Sequence, residues 1–237
     1  MKKILSKTVK SVLFFVPIYI LQSLRFEIRA FFGYKFSRKL KNLPKDNCYL
    51  NIGSGSAVIK DFINIDFFGV PGIDYAADLR KPLLIPDSSV DGIFCEHTIE
   101  HLTYEQVQAL LKECNRVLKV GGVIRIILPD LSKFIEAYQT DNSRWFDDWE
   151  SLMFTNSNDH SRSQRRLSTP IEAISFVTQE YGHLSCWDQQ TIQLYLKRAN
   201  FVKIEEKSFK NGSVVGLLAD LDAEDRKFVS LYVEASK

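Results

Sequence analysis

Cys48-Tyr-Leu-Asn-Ile-Gly-Ser-Gly-Ser56, followed by Phe62-Ile-Asn-Ile-Asp66, is the stretch on which the fold turns. Cys48–Ile52 and Phe62–Ile65 are short apolar-rich runs bounded by turn residues, as buried strands are. Between them, two glycines one residue apart let the backbone turn tightly and approach a ligand where a side chain would collide. Alone, a Gly-x-Gly turn after a strand is also an ordinary tight turn. The acidic residue closing the second run, Asp66, adds a second sign. It stands where a carboxylate binds both hydroxyls of a ribose at the end of a parallel strand.

Outward from this stretch, strand and helix patterns alternate. Asp91–Cys95 reads as a third strand, and Val123–Leu128 as another, apolar throughout except for Arg125. Residues 105–118 place Val107, Leu110, Leu111, Cys114, Val117 and Leu118 on one helical face, with Gly121-Gly122 expected to end that helix. Asp188 is positioned to cap a helix over 189–199 that Asn200 closes, and strands Val202–Glu206 and Val229–Glu234 follow. Such alternation with buried strands predicts an α/β fold: a Rossmann-like, doubly wound, seven-stranded, mostly parallel sheet with an antiparallel last strand. Ligands of such sheets bind at the carboxyl ends of the strands.

Composition sets the bounds. With 237 residues, 45% hydrophobic and 25% charged, the chain can bury one substantial core. Cys48, Cys95, Cys114 and Cys186 form no CxxC pair, which suits reduced thiols in the cytoplasm better than a zinc site or a disulfide framework. Charge is uneven: residues 1–45 hold eleven Lys/Arg and one acid, Glu27, so that segment carries +10 and the remainder −8. Within it, Val12–Leu21 is an apolar run of ten residues broken by Pro17, short of the roughly 20 needed to span a bilayer. Residues 1–41 therefore read as a basic, apolar helical extension ahead of a domain over 42–237. Two readings of the extension stand side by side: an interfacial helix on the anionic inner face of the membrane, or a helix packed on the domain or a partner.

The remaining motifs sit at strand ends. They are Asp78-Leu79, then Leu83-Leu-Ile-Pro-Asp-Ser-Ser-Val-Asp91, then Cys95-Glu-His-Thr-Ile-Glu-His-Leu102, and Arg116-Val-Leu-Lys-Val-Gly-Gly122 before a strand ending in Leu128-Pro-Asp130. The ordered set LNIGSG, NID, ADLRKPLLIPDSSVDGIFCEHTIEHL and NRVLKVGGVIRIILPD resembles the class I methyltransferases with a methyltransferase type 11 domain. It is most similar to a bacterial branch linked to surface-sugar biosynthesis, and YGHLSCWDQQTIQLYLKRANFVKI and SLYVEASK extend the likeness. The resemblance covers residues 48–134 and 181–236. It implies S-adenosylmethionine as cofactor, with Asn51, Gly53, Ser54 and Gly55 around its methionine end and Asp66 on the ribose. Asp78 and Leu79 would flank the adenine, and Glu96 and His97 would stand beside the sulfonium. The loop departs from the pattern in lacking a third glycine, and the ten residues from Gly55 to Ile65 leave little room for a helix.

A hydroxyl acceptor gains from a base that takes its proton, and a neutral imidazole suits that role. His97 is the first candidate and His183 the second, while a capping or carboxylate-binding role is the competing reading of His97. His97-Thr-Ile-Glu-His101 also fits the H-x-x-E-H pattern of inverted zinc peptidases, but it begins at a strand end of a Rossmann-like chain, and no metal is expected. Residues 135–187 read as an acceptor lid in which Arg162, Arg165, Arg166 and Trp187 bind the acceptor. Trp145, Phe146 and Trp149 read either as a sugar platform or as a packing face. The absence of an Asp/Asn-Pro-Pro-Tyr/Phe motif and of a Pro-Cys nucleophile speaks against nucleobase methylation, and no nucleic-acid partner is expected. The function expected is methylation of a hydroxyl on a saccharide or small metabolite. The alternatives are an N- or C-methyltransferase, or an inactive cofactor-binding protein at the membrane periphery.

Overall fold

The computed structural model describes residues 24, 27–28, 43–67, 71–155 and 167–237. The chain divides into two compact units, Met1–Arg38 and Lys39–Lys237. Of the first, Leu24, Glu27 and Ile28 are described; they are helical and exposed. The basic and apolar stretches of the extension lie outside the described residues. No helix among the described residues is long and apolar enough to cross a membrane.

The second unit is built on seven strands: β1 (Tyr49–Ile52), β2 (Phe62–Asp66), β3 (Tyr75–Ala76), β4 (Val90–Glu96), β5 (Leu118–Pro129), β6 (Val202–Lys207) and β7 (Ser230–Ser236). They form one sheet in the order β3-β2-β1-β4-β5-β7-β6. The pairs from β3 to β5 are parallel, and β7 runs antiparallel between β5 and β6. This is the α/β architecture expected, with the order reversing beside β1. No helix stands between β1 and β2, as the short spacing required.

Helix α1 (Tyr104–Val117) starts on a capping box between Thr103 and Gln106 and buries Val107, Leu110, Leu111, Cys114 and Val117. It ends at Val117, not at the glycines, because Leu118 already adopts an extended conformation and opens β5. Gly121, at φ 80°, instead lies in the irregular start of β5, where pairing with β4 shifts from Val90↔Leu118 to Gly92↔Val123. Helices α2 (Leu131–Gln139), α3 (Ser143–Glu150) and α4 (Pro170–Gln179) follow β5. Helix α5 (Gln189–Arg198) is capped by Asp188, whose side chain accepts from Thr191 N, and Asn200 leaves it in a left-handed conformation. Helix α6 (Glu224–Val229) leads into β7.

Among the described residues, three apolar clusters result. The largest packs α1 and α5 on one face of the sheet. On the other face Phe94, Val123, Ile127 and Tyr232 are covered by Leu217 and its neighbours rather than by a long helix. The third joins Phe134, Phe146, Trp149, Phe154 and Phe176 in the helical layer beyond β5. There Phe134–Trp149 and Phe154–Phe176 meet edge to face, at centroid distances of 5.2 and 5.5 Å. Arg125, the charged residue in the apolar strand, is fully buried. Its Nε and Nη2 donate to the two oxygens of Asp220, at 2.7 and 2.5 Å, and Nη1 to Glu234 Oε1 at 3.0 Å, while the carbonyls of Ser208 and Asn211 take its remaining donors. That ion triad pins the segment from β6 to α6 over the second face of the sheet.

Candidate active site

The turn after β1 is shaped for a ligand. Gly53 and Gly55 have φ of 70° and 52°, in the region that favours glycine. The amides of Gly53 and Ser54 both donate to Ile65 O, at 2.8 and 3.1 Å, and Gly55 N donates to Asp66 Oδ2 at 2.9 Å. The end of β2 therefore holds the loop, and the Asp66 carboxylate stands at its mouth. Asn51 is buried, and its amide donates to Ala57 O and Asn64 Oδ1, so its side chain braces the loop from beneath. Gly53 packs on Thr98: a methyl in place of its hydrogen would lie 2.1 Å from Thr98 Cγ2.

Asp78 is buried and holds Arg80 through both oxygens, Oδ1 to Nε at 2.8 Å and Oδ2 to Nη2 at 2.9 Å. Burial raises its proton affinity, but the hydrogen bonds and charge of Arg80 outweigh that and hold the carboxyl below its ordinary range. Leu79 packs against the main core. Glu96 accepts from Leu221 N at 3.0 Å and from Arg226 Nη1 at 3.3 Å, tying the end of β4 to the approach to β7.

One residue beyond β4, the backbone turns sharply. His97 has φ 46°, and its amide donates to Ile127 O. Its Nε2 lies 2.7 Å from Ser230 Oγ and its Nδ1 3.6 Å from Glu100 Oε1. Burial, then the nearby Arg226, pulls the imidazole down to a pKa of about 3, so it stays neutral through the physiological range. Ile99–His101 form a single 3-10 turn, which keeps His97 and His101 from the helical i, i+4 arrangement of a zinc peptidase. His101 turns toward His183 instead, with ring centroids 4.9 Å apart. His183 arrives because Leu184 N and Ser185 N both donate to the Glu100 carbonyl, at 2.8 and 3.2 Å.

These groups line a cavity of about 330 Å³ at the carboxyl ends of β4 and β5, walled by Trp149 and Phe176 of the helical layer. Glu100 is 2% exposed, and neither carboxylate oxygen has a hydrogen-bond partner. Burial pushes this carboxyl up to about 8. His183 Nδ1 donates to Val177 O at 2.7 Å, leaving Nε2 for the cavity. Spacing along the chain marks His97 and His183; the pairing of Glu100 and His101 with His183 depends on a contact across some eighty residues and left no local mark.

The aromatic residues considered for the acceptor fall in two places. Trp187 is buried in the main core, its Nε1 donating to Ser185 Oγ at 2.8 Å, and it is not among the residues lining that cavity. It packs edge to face with Tyr104 and Tyr195 because its ring faces the apolar side of α1 and α5. Trp149 and Phe146 serve the packing face of the helical layer, although the edge of Trp149 reaches the cavity. Arg162, Arg165 and Arg166 lie outside the described residues.

A family model described as a methyltransferase domain matches residues 62–126, from β2 into β5. No curated protein matches the chain. Among solved structures, the chain is similar to a SAM-dependent methyltransferase from Archaeoglobus fulgidus at 17% identity and a TM-score of 0.48, covering 93% of this chain and 100% of that one. A possible histamine N-methyltransferase from Thermotoga maritima is 14% identical with a TM-score of 0.49, over 91% of this chain and 97% of its own. An S-adenosylmethionine-dependent methyltransferase from Mesorhizobium loti is 16% identical with a TM-score of 0.45, over 82% of this chain and 94% of its own. Residues 62–126 are thus matched by a methyltransferase domain, on the strands from β2 into β5 of this sheet and beside the glycine turn whose Gly55 amide meets Asp66.

Proposed function

We propose that the chain methylates a hydroxyl of a saccharide or small metabolite bound in the cavity beyond β4. One juxtaposition carries the reading: Thr98 packs on Gly53 of the cofactor turn, while its neighbour His97 lines the cavity. A donor held by the turn and an acceptor held in the cavity are thus one residue apart along the end of β4. S-adenosylmethionine supplies a sulfonium methyl open to direct displacement, so alignment of the two partners provides much of the rate. Gly53, Ser54 and Gly55 offer the close backbone approach that the methionine end needs, and Asp66 accepts from the ribose hydroxyls. Asp78 and Leu79 border the adenine, and Glu96 fixes the strand end beside the sulfonium.

The chain's own task is to hold the acceptor and move its proton. In the tautomer that gives its Nε2–H to Ser230 Oγ, 2.7 Å away, His97 keeps its Nδ1 lone pair on the side of Glu100. That neutral nitrogen takes the hydroxyl proton as the oxygen reacts. Arg162, Arg165 and Arg166, in the sequence between α3 and α4, would grip an anionic acceptor. The basic extension, residues 1–41, would hold the enzyme at the anionic cytoplasmic face of the membrane. His97→Ala tests the proton transfer: turnover of S-adenosylmethionine with the acceptor should fall about 100-fold while cofactor affinity stays near wild type. Unchanged turnover would remove His97 from the chemistry.

A further inference from the structure

We propose that Glu100, His101 and His183 form a binding site for one divalent first-row transition-metal ion, of which zinc is the simplest probe, in the wall of the acceptor cavity. The ligand atoms of these three residues lie within 4.8 Å of one another. A tetrahedral ion about 2.0–2.2 Å from each ligand sets them ~3.3 Å apart, a contraction within reach of small side-chain rotations. Two imidazoles and one carboxylate are a donor set that such ions favour, and it leaves positions open.

Three independent observations point to a cation rather than to apolar packing. Glu100 is almost wholly buried, yet both of its oxygens lack a hydrogen-bond partner, a cost that a bound cation would remove. His183 donates its Nδ1–H to the Val177 carbonyl, the outer bond that fixes the tautomer of metal-binding histidines and leaves Nε2 to coordinate. Backbone groups of Tyr181 and Gly182 also lie against the His101 ring. The cationic side chain lining the cavity, Arg226, is paired with Glu96 at 3.3 Å, and Asp225 adds an acid to the wall. No other group of three such side chains within ligand distance occurs among the described residues.

The site itself does not depend on methyl transfer; its use does, and that use rests on the function proposed above. An acceptor hydroxyl on an open position of the ion would bind its proton less tightly. The O–H bond then breaks with the proton passing to His97 Nδ1, and the oxygen stays on the ion.

The test uses the full chain, freed of metal with a chelator and titrated with zinc against a chromogenic competitor, and with cobalt as a spectroscopic probe. Wild type should take up one equivalent, with ligand-field bands for cobalt bound by nitrogen and oxygen. His101→Ala, His183→Ala and the isosteric Glu100→Gln should each weaken zinc binding at least about 100-fold, while Cys186→Ser binds as wild type does. A thermal melt of each variant reports whether it is folded, without reference to the cofactor, which keeps this test separate from that of the methyltransferase reading. Wild type that takes up neither metal overturns the proposal, whatever the variants do. So does zinc binding that survives Glu100→Gln and His183→Ala in folded protein, or that is lost with Cys186→Ser.

Discussion

Gly53 and Gly55 stand two residues apart in one turn, yet a methyl group would cost them very different amounts. Both have positive φ, which costs an L residue about 1–2 kcal/mol. At Gly55 a Cβ meets nothing within 4 Å, whereas at Gly53 it strikes the branched end of Thr98. Gly55→Ala should therefore lower stability by only that conformational cost. Gly53→Ala should add about 1–3 kcal/mol of overpacking, displace Thr98 and weaken cofactor binding as well. Thermal melts and cofactor titration of the two variants check this, and equal effects would mean that the turn is not wedged against β4. At this scale the sequence was informative about backbone. The Gly-x-Gly pair announced a tight turn, and both glycines take positive φ; Asp66 was read as a ribose ligand, and the contact of its Oδ2 with Gly55 N went unread. The destinations of polar side chains were hidden: Asn51 braces the loop, and Trp187 belongs to the core.

Strand β5 shows what periodicity reveals and what it leaves out. Its apolar run predicted a buried central strand, and Arg125 stood out within it without naming its partners. Those partners, Asp220 and Glu234, are 95 and 109 residues further along the chain. No local pattern encodes a pairing at that range. Removing the cation leaves two buried carboxylates unpaired, so Arg125→Met should destabilise the fold by about 3–5 kcal/mol in urea unfolding. A loss within 1 kcal/mol or so would show that the segment from β6 to α6 is held by its apolar contacts alone. The helices were legible where a face and a cap coincide, as in α1 and α5. The two-residue β3 was too short to carry a period, and Gly121-Gly122 marked a shift of register rather than a helix end.

At the scale of the whole molecule, charge asymmetry remains the plainest property of the sequence. A segment of +10 ahead of a body of −8 predicts that the full chain sediments with vesicles rich in anionic lipid and is released by salt. A chain starting at Asn42 should remain folded and stay in the supernatant. Full-length protein that ignores such vesicles would contradict the membrane reading. The acceptor cavity is also a property of the whole, since β4, the helical layer and the segment carrying His183 each supply a wall. Its strand-end residues were legible in the chain, whereas the contact of His183 with His101 across the cavity was not. The glycine turn, by contrast, is local, and its backbone was legible in the sequence; on its proposed role as the cofactor site rests the central claim. Calorimetric titration of S-adenosylmethionine into wild type and Asp66→Ala tests it most directly. Stoichiometric binding by wild type, weakened about 30- to 1000-fold by loss of the charge-assisted bonds to the ribose, is the result expected. Equal affinity in the two proteins, or no binding by wild type, would contradict it.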